Sequence, residues 1–267
     1  MKIAIIGCGN MGSAILNGIV EGRVFKKTDI FICDKNSKLE KKTKLKFKGV
    51  KSGSVSLVTK KSDIIILSVK PQDVKVVLEE IRDDLKGKTL VSICAGIKIS
   101  FIKGILGRWT EVIRVMPNMP AVINYGVSAI SLPRRITVQK KRIIGKIFES
   151  FGSVYEVKES EMDAITAVSG SGPAYFFYIL EALRKVSCDI GLKKNLAREL
   201  VLDTALGACL LAMSSKFSLD ELIKKVASKG GTTEAALRSF NESNLDKAFI
   251  KGVKKAKRRS EELSRSF

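Results

Sequence analysis

The sequence predicts an α/β protein in which a doubly wound, mostly parallel sheet is followed by an all-helical domain. In the first half of the 267 residues, short apolar runs alternate with amphipathic helical patterns, which is typical of a parallel sheet covered by helices on both faces. After about residue 158, β-branched clusters thin out and long helical patterns dominate. We therefore expect a sheet domain over residues 1–157 and a helical domain over residues 158–267.

The same patterns predict the elements of both domains in chain order. Strands are expected at residues 2–6, 30–33, 64–67, 90–93, 110–115, 126–131 and 153–157. Helices of the first domain are expected at about 10–22, 36–47 and 72–84. Helices of the second domain are expected at about 160–168, 172–190, 194–214, 219–227, 232–241 and 245–263. Because no low-complexity linker separates the halves, the helical domain should pack on the sheet domain or on another subunit.

The composition excludes several classes of catalyst. Histidine is absent, which excludes a Ser-His-Asp hydrolase, a His-ligated zinc site and a His–carboxylate dehydrogenase dyad. No metal site is expected. The chemistry must therefore use hydroxyls, backbone amides, carboxylates, lysines or a bound cofactor.

The cysteines and the hydropathy of the chain indicate the cellular compartment of the protein. The five cysteines are odd in number and scattered without a Cys-x-x-Cys pair, which is typical of reduced thiols. No targeting segment is visible, and no apolar run reaches the roughly 18 residues of a membrane helix. We expect a soluble, cytoplasmic protein without membrane contact.

A glycine motif follows the first predicted strand and opens the first predicted helix. Its residues are Gly7, Cys8, Gly9, Asn10, Met11 and Gly12. In this G-x-G-x-x-G pattern Gly7 should make the tight turn, Gly9 should let amides approach a pyrophosphate, and Gly12 should permit close helix–strand packing. The alternative is an ordinary glycine-rich turn without a ligand. The pattern predicts a Rossmann-type dinucleotide-binding domain.

The end of the second predicted strand bears on which dinucleotide binds. Asp34 lies 22 positions after Gly12, where an acid would bind the ribose hydroxyls of NAD. Lys35 and Lys38 follow at once and could instead hold the additional phosphate of NADP. The lysines also fit a solvated helix face. These signals conflict, and NADPH and NADH both stay open.

Three further segments follow predicted strands at the edge where open α/β sheets bind ligands. They are Ser68, Val69, Lys70 and Pro71 after one strand, Cys94, Ala95 and Gly96 after the next, and Asn118 in a proline-rich turn. The small side chains at 94–96 would let a flat ring lie close. Alternatively, Pro71 starts a helix, Cys94 is a small core residue and Asn118 is an ordinary turn residue.

A second candidate site precedes a late predicted helix. Its residues are Ser228, Lys229, Gly230, Gly231, Thr232, Thr233 and Glu234. Two glycines before a helix would expose consecutive backbone N–H groups, and such a cradle suits a carboxylate. The alternative is that Thr232 is the N-cap of this helix and the glycines form a turn.

Taken together, these motifs resemble those of the Δ1-pyrroline-5-carboxylate reductase family over nearly the whole chain. The matching stretches are IGCGNMGSAI at the N-terminus, SVKPQ at 68–72, CAG at 94–96, RVMPNMP at 114–120, SGSGPAYFF at 169–177 and GGTTEAAL at 230–237. The resemblance implies hydride transfer from NADPH, with NADH possible, to the C=N bond of 1-pyrroline-5-carboxylate. The product would be L-proline, in the last step of its biosynthesis.

The resemblance also implies roles for individual residues. Cofactor contacts would fall on 68–71 and 94–96, with Asn118 close to the nicotinamide. The substrate carboxylate would bind Gly231, Thr232 and Thr233, with the Thr233 hydroxyl on the ring nitrogen, and Ser228 and Gly230 would belong to the same substrate site. Glu159 aligns with an acidic family position near the substrate, although it also fits an exposed acid before a helix. Lys229 replaces the family's proline, which puts the rigidity of the loop in question.

The resemblance further implies a homodimer formed through the helical domain and a larger ring, expected to be a decamer, with the active site at the subunit boundary. Two other interpretations stay open. A β-hydroxyacid dehydrogenase would need a lysine in the first long helix of the helical domain, and residues 169–183 contain none. A nucleic-acid-binding protein would fit the net charge of +21, but aromatic residues make up only 6% of the chain, too few for a stacking surface.

Overall fold

Eight strands form one sheet in the part of the chain that the structure describes. The computed structural model describes residues 1–107 and 110–265. The strands are β1 (Ile3–Ile6), β2 (Ile30–Cys33), β3 (Lys51–Ser52), β4 (Ile64–Leu67), β5 (Thr89–Ser92), β6 (Glu111–Pro117), β7 (Gly126–Ser131) and β8 (Gly152–Glu156). Their order is β3-β2-β1-β4-β5-β6-β7-β8, and all neighbours are parallel except β6 and β7. The predicted doubly wound, mostly parallel sheet is confirmed.

Twelve α-helices accompany the sheet within the same described residues. They are α1 (Asn10–Glu21), α2 (Ser37–Lys46), α3 (Val55–Lys60), α4 (Val74–Ile81), α5 (Ile99–Leu106), α6 (Val138–Glu149), α7 (Met162–Ile165), α8 (Gly172–Asp189), α9 (Lys194–Ser214), α10 (Leu219–Val226), α11 (Thr232–Glu242) and α12 (Leu245–Arg265). The helices that the sequence predicts correspond to α1, α2, α4 and α7 to α12. The sequence patterns do not predict β3, α3, α5 and α6.

The elements that the sequence does not predict are short or weakly patterned. β3 has two residues, and α5 is a short apolar run that resembles a strand as much as a helix. α3 has six residues and follows Ser54, whose hydroxyl accepts a hydrogen bond from the Leu57 amide at 3.3 Å. α6 follows Thr137, whose hydroxyl accepts from the Lys140 amide at 3.3 Å. Caps, rather than a long apolar period, mark where α3 and α6 begin.

The helix expected at 160–168 is only partly present. α7 ends at Ile165, and the chain continues as a wide π-helical turn over Thr166–Gly170. A Cβ on Gly170 would lie 2.5 Å from the Met116 methyl group, so this turn packs closely on the end of β6. Such a wide turn depends on tertiary packing, which the local sequence does not reveal.

Side chains alternate between the two faces of the sheet and form two hydrophobic clusters. Ile3 and Ile5 of β1 belong to the cluster that includes Phe148 of α6. Ala4 and Ile6 belong to the other cluster, which includes residues of α4 and α5. Every residue of β1 is therefore buried, as expected for a parallel strand covered on both faces.

The chain divides into two compact units. The sheet unit contains residues 1–171 and 256–267, and the helical unit contains residues 172–255. α12 begins in the helical unit and ends in the sheet unit. The sequence pattern changes near residue 157, whereas residues 158–171 pack with the sheet unit. The domain boundary after residue 157 stays a prediction.

The helical unit has almost no hydrophobic core within one chain. Between residues 172 and 255, all of which the structure describes, Ala197 is the only buried hydrophobic residue. Five leucines of one long helix of this unit are exposed in the single chain. They are Leu200, Leu202, Leu206, Leu210 and Leu211 of α9. The apolar stripe of this helix is therefore not a core within the single chain.

Candidate active site

The glycine loop between β1 and α1 has the geometry that the motif predicts. Gly7 has a φ of +102°, and a Cβ there would overlap the Ser68 carbonyl oxygen. A Cβ on Gly12 would overlap the Gly7 carbonyl oxygen. Gly9 differs, because no atom lies within 4 Å of the place its Cβ would take. The first and third glycines are therefore required by the turn and its packing, whereas the second faces open space.

The first turn of α1 has the character of an anion site. Gly9 is the N-cap and supplies no side-chain cap, and no acidic residue lies in the first turn. The nearby Ser13 hydroxyl donates to the Cys8 carbonyl oxygen at 2.7 Å and does not cap the helix. Uncapped N–H groups at a helix N-terminus favour phosphate. The residues present here fit the pyrophosphate of a dinucleotide.

Asp34 follows β2, where the sequence predicts a ribose contact. Its Oδ2 accepts a hydrogen bond from the Cys8 amide at 2.6 Å, and its Oδ1 accepts from the Asn36 amide at 2.7 Å. The Cys8 amide thus has a partner inside the protein. Asp34 therefore joins the glycine loop to the end of β2, a structural role that the motif does not predict. Its ribose contact stays a prediction.

The two candidate phosphate-binding lysines have different surroundings. Lys35 Nζ lies 2.7 Å from Asp73 Oδ2, in an ion pair near the surface. Lys38 is exposed in the first turn of α2. Its amide donates to the Asn36 side chain at 3.1 Å, which caps that helix. A phosphate near Lys35 would compete with Asp73, whereas Lys38 is exposed to solvent.

Two predicted segments lie at the carboxyl ends of the neighbouring strands β4 and β5. The Ser68 amide donates to the Ile6 carbonyl oxygen at 2.8 Å, which joins one segment to β1. Cys94 Sγ lies 3.4 Å and 3.3 Å from the carbonyl oxygens of Leu67 and Val69. Burial raises the pKa of the Cys94 thiol to about 11, so the thiol is neutral at physiological pH. Cys94 is a buried packing residue between the two segments.

The remaining residues of these segments differ in exposure. Lys70 is exposed, and Pro71 begins a 3₁₀ turn that leads into α4, which confirms it as a helix start. Ala95 is half-buried. Gly96 is buried against α12, because a Cβ on it would lie 3.2 Å from Leu263 Cβ. The end of the last helix therefore packs directly on this segment.

Asn118 uses both ends of its side-chain amide inside the sheet unit. Its Nδ2 lies 3.2 Å from the Ser169 carbonyl oxygen and 3.3 Å from the Ser169 hydroxyl. Its Oδ1 accepts from the Val127 amide at 2.8 Å, and the residue is buried. Asn118 therefore joins the end of β6 to β7 and to the π turn. Its nicotinamide contact stays a prediction.

Glu159 lies in the sheet unit and has two partners there. Its Oε1 accepts from the Ile99 amide at 2.7 Å and lies 3.4 Å from Arg114 Nη1. Arg114 is buried on β6, and a buried guanidinium requires an anionic partner. Glu159 therefore stabilises the start of α5 and the charge of Arg114. Its substrate contact stays a prediction.

The turn before α11 in the helical unit favours glycine at both positions. Gly230 has a φ of +72°, in the left-handed region that favours glycine. A Cβ on Gly231 would lie 2.6 Å from Ser228 Oγ, and the Gly231 amide donates to the Ser228 carbonyl oxygen at 3.0 Å. Lys229 is exposed. The turn is therefore compact without the proline that Lys229 replaces.

The start of α11 differs from one of the sequence-based interpretations. Thr232 as N-cap is wrong, because the N-cap is Gly231 and supplies no side-chain cap. The Gly230 amide donates to Glu234 Oε2 at 2.7 Å and so has a partner. Thr232 is exposed and Thr233 is half-buried, both in the first turn of α11. The candidate carboxylate cradle is therefore the first turn of this helix rather than the glycine pair.

Sequence patterns miss two buried polar arrangements in the sheet unit. One is the Arg114 side chain that pairs with Glu159. The other is Asp163, whose Oδ1 accepts from the Ser260 and Ser264 hydroxyls at 2.7 Å and 3.2 Å. The two serines are four residues apart on α12, a spacing that places both on one side of a helix. That spacing is the one sequence signal that could have shown this contact.

Neither a metal-binding cluster nor a membrane helix is found in residues 1–107 and 110–265. No three histidine, cysteine, aspartate or glutamate residues lie together there in an arrangement that could hold a metal ion. No helix in those ranges combines the length and the apolarity that a bilayer span requires.

Two family models match the chain in succession. Residues 2–96 match the family described as "NADP oxidoreductase coenzyme F420-dependent". Residues 159–263 match the family described as "Pyrroline-5-carboxylate reductase dimerisation". A nucleotide-binding sheet domain followed by a dimerisation domain defines the chain as an NAD(P)-dependent oxidoreductase. Pyrroline-5-carboxylate reductase 2 of Bacillus subtilis is 34% identical over 100% of this chain and 96% of its own length. The chain belongs to the pyrroline-5-carboxylate reductase family, as the motifs indicate.

Other relatives and solved structures agree. The pyrroline-5-carboxylate reductase of Methanosarcina acetivorans is 34% identical over 99% of this chain and 98% of its own length. The Plasmodium falciparum pyrroline carboxylate reductase with NADP bound has a TM-score of 0.89 at 29% identity, covering 99% of this chain and 98% of that one. The Coxiella burnetii pyrroline-5-carboxylate reductase has a TM-score of 0.90 at 32% identity, covering 98% of each chain.

Proposed function

We propose that this chain is a pyrroline-5-carboxylate reductase that uses NADPH to reduce 1-pyrroline-5-carboxylate to L-proline, the last step of proline biosynthesis. The observation that carries the proposal is the 34% identity to a curated reductase over 100% of the chain. Two uncapped helix N-termini support it, because they suit a dinucleotide phosphate and a carboxylate. A β-hydroxyacid dehydrogenase is less favoured, because the first eight curated relatives all carry the reductase name.

The sheet unit would hold the cofactor along the carboxyl edge of its strands. The first turn of α1 would bind the pyrophosphate, and the open space at Gly9 would let the phosphates approach the backbone. Contacts are proposed for Gly7, Cys8, Gly9, Asn10, Met11, Gly12, Asp34, Lys35, Ser68, Val69, Lys70, Pro71, Cys94, Ala95, Gly96 and Asn118. Bound NADPH supplies the hydride.

The helical unit would bind the substrate through the first turn of α11. The amides of Thr232 and Thr233 would bind the carboxylate, and the Thr233 hydroxyl would hydrogen-bond the ring nitrogen. Because a cyclic imine takes a proton more readily than a ketone, such a bond can favour the protonated form without a histidine. The ring carbon gains the hydride and the nitrogen keeps the proton. Ser228, Gly230, Gly231 and Glu159 complete the proposed substrate set.

The proposal also covers the oligomeric state of the protein and its location in the cell. The dimerisation match over residues 159–263 and the exposed leucines of α9 support a homodimer formed through the helical unit. We extend this to a larger ring of dimers, a decamer, in the cytoplasm. The five cysteines, all free, suit a reducing compartment.

An activity assay with each reduced cofactor tests the proposed reaction. We expect 1-pyrroline-5-carboxylate to drive the oxidation of NADPH faster than that of NADH, with one L-proline formed per cofactor oxidised. Absorbance of the reduced nicotinamide and amino-acid analysis of the product measure the two quantities. A chain that binds NADPH and yet oxidises neither cofactor with this acceptor would contradict the proposal.

Thr233→Ala tests the substrate half of the site. We expect kcat to fall by about a hundredfold, because one hydrogen bond to the reacting nitrogen is lost, while the Kd for NADPH stays within about twofold. Ser239→Ala, an exposed serine on the same helix, is the matched control. An equal loss of NADPH affinity in Thr233→Ala would show that this residue does not serve the substrate.

A further inference from the structure

The carboxyl-terminal end of α12 is fastened to the sheet unit by buried hydroxyl groups. Ser260 Oγ donates to Asp163 Oδ1 at 2.7 Å, and Ser264 Oγ donates to the same oxygen at 3.2 Å. The two serines are only 4% and 5% exposed, whereas most residues around them are charged and exposed. We call Asp163, Ser260 and Ser264 the serine clasp.

The clasp depends on polar chemistry rather than on apolar burial. Two serines bury little apolar surface, so their contribution comes from the bonds they donate to the carboxylate. Hydrogen bonds to a charged acceptor are stronger than neutral ones, and a buried hydroxyl that loses its partner is costly. The end of α12 is therefore held at one place by Asp163, about a hundred residues earlier in the chain.

One of the three residues between the two serines contacts a segment of the proposed cofactor site. Leu263 lies against Gly96, where a Cβ would be 3.2 Å from Leu263 Cβ and 3.6 Å from the Ser264 amide nitrogen. Gly96 ends the segment after β5, at the carboxyl edge of the sheet. The other side of this segment is fixed by Cys94, whose sulfur packs on the end of β4. The clasp thus holds a helix end on a segment proposed to contact the dinucleotide.

We infer that the serine clasp positions the segment 94–96 for NADPH binding, by holding Leu263 on Gly96. This inference rests on the proposed function. The clasp residues do not touch the cofactor in this proposal and act through the segment. When the clasp opens, the fraction of molecules with a competent segment falls, and the apparent Kd for NADPH rises by the same factor. The chemical step in a loaded enzyme is unchanged.

The double variant Ser260→Ala/Ser264→Ala tests the clasp by direct binding. In a fluorescence titration of the full chain with NADPH, we expect its Kd to rise about tenfold, because two hydrogen bonds to a charged acceptor are lost. kcat at saturating NADPH and the KM for 1-pyrroline-5-carboxylate should both stay within about twofold. General loosening of the protein would change these two parameters together with the Kd for NADPH. Ser100→Ala, an exposed serine of α5, is the matched control.

Two variants of Asp163, the acceptor residue, distinguish loss of its hydrogen bonds from loss of its side-chain packing. Asp163→Asn keeps an oxygen that can accept from both serines, and its Kd for NADPH should rise no more than about threefold. Asp163→Ala removes the acceptor and should match the double serine variant. If the double variant does not fold, Ser264→Ala alone, which removes the longer bond, should raise the Kd about threefold.

The results separate the clasp from the proposed reaction. A folded double variant with wild-type NADPH affinity would overturn the clasp, and so would equal weakening by Asp163→Asn and Asp163→Ala. Wild-type protein that binds NADPH without reducing 1-pyrroline-5-carboxylate would overturn only the reaction, since the titration needs no substrate. Wild-type protein that binds no NADPH would overturn both.

Discussion

The sheet unit and the helical unit place their hydrophobic residues differently. In the sheet unit Phe148 is completely buried, and the strands are covered on both faces. In the helical unit Phe176 is 64% exposed and Leu206 is 60% exposed, and Ala197 is the only buried hydrophobic residue among residues 172–255. The first unit has its core inside one chain, whereas the second presents apolar surface that we expect a second chain to cover. The stability of the helical unit should therefore depend on protein concentration.

The two candidate sites differ in charge although both use a helix N-terminus. Gly9 caps α1 and Gly231 caps α11, and neither helix has a side-chain cap. The first turn of α1 contains no acid, whereas that of α11 contains Glu234, whose carboxylate already accepts from the Gly230 amide. An acid-free turn suits the doubly charged pyrophosphate. The α11 turn, which has an acid of its own, suits a smaller anion such as a single carboxylate.

The largest expected effect is on assembly through the helical unit. Leu206→Lys/Leu210→Lys places charges on two exposed leucines of α9, and in a twofold dimer each change counts twice. At about 1.5 kcal/mol for each leucine that would be buried, the dimer should lose about 6 kcal/mol. We expect monomers in analytical ultracentrifugation, and a circular-dichroism signal in which the sheet unit stays folded.

The matched control for this prediction lies in the other unit. Leu45→Lys changes a leucine of α2 that is 75% exposed, and it should leave the dimer intact. A dimer of wild-type affinity in Leu206→Lys/Leu210→Lys would break the comparison, because α9 would then not be the surface that a second chain covers.

A pair of phenylalanine variants sharpens the same comparison. Phe148→Ala removes a fully buried ring and should cost about 3–5 kcal/mol of unfolding free energy, independent of protein concentration. Phe176→Ala should cost most at high concentration, where the dimer is populated, and least on dilution, because its ring would be buried only by a partner. Denaturant midpoints at several concentrations measure both. Concentration-independent midpoints for wild type and Phe176→Ala would argue against a partner-dependent helical unit.

The smallest expected effect is a loss of stability at alkaline pH in the sheet unit. Burial raises the pKa of the Cys94 thiol from 9.0 to about 11. Above pH 9 the unfolded chain releases this proton while the folded chain keeps it, so stability falls between about pH 9 and 11. At pH 10 the contribution is about 1 kcal/mol. Cys94→Ala should reduce the slope of this part of the pH profile, to which the Cys8 and Cys33 thiols also contribute because burial raises their pKa. Parallel profiles for wild type and Cys94→Ala would contradict the prediction.

Periodicity and motif context were sufficient for most of the fold. The seven predicted strands are present within two residues, because fully apolar runs between helical patterns have few other arrangements. The long helices α8, α9 and α12 also match. α3 and α6 were missed because single caps, at Ser54 and Thr137, determine where they begin. The π turn over Thr166–Gly170 was missed because packing against Met116 shapes it.

From the sequence, the candidate segments could be placed at the ends of strands and at the starts of helices, whereas the bonds of their side chains could not be foreseen. Their binding roles stay predictions. The G-x-G-x-x-G pattern located a turn in which Gly9 faces open space. It could not show that Asp34 and Asn118 already bond to neighbouring backbone, or that Glu159 pairs with Arg114. Each of these bonds joins residues of different elements, and the local sequence contains no record of such distances.

The sequence by itself determined the order of seven strands and of most helices, the glycine-rich turn after β1 and the family, because these depend on local periodicity and on short contiguous motifs. Only the tertiary structure decided which polar groups are already paired, and that Ser260 and Ser264 meet Asp163 beside Gly96. The physical reason is that a hydrogen bond requires a few ångströms of separation in space, and residues a hundred positions apart reach that separation only in the folded chain.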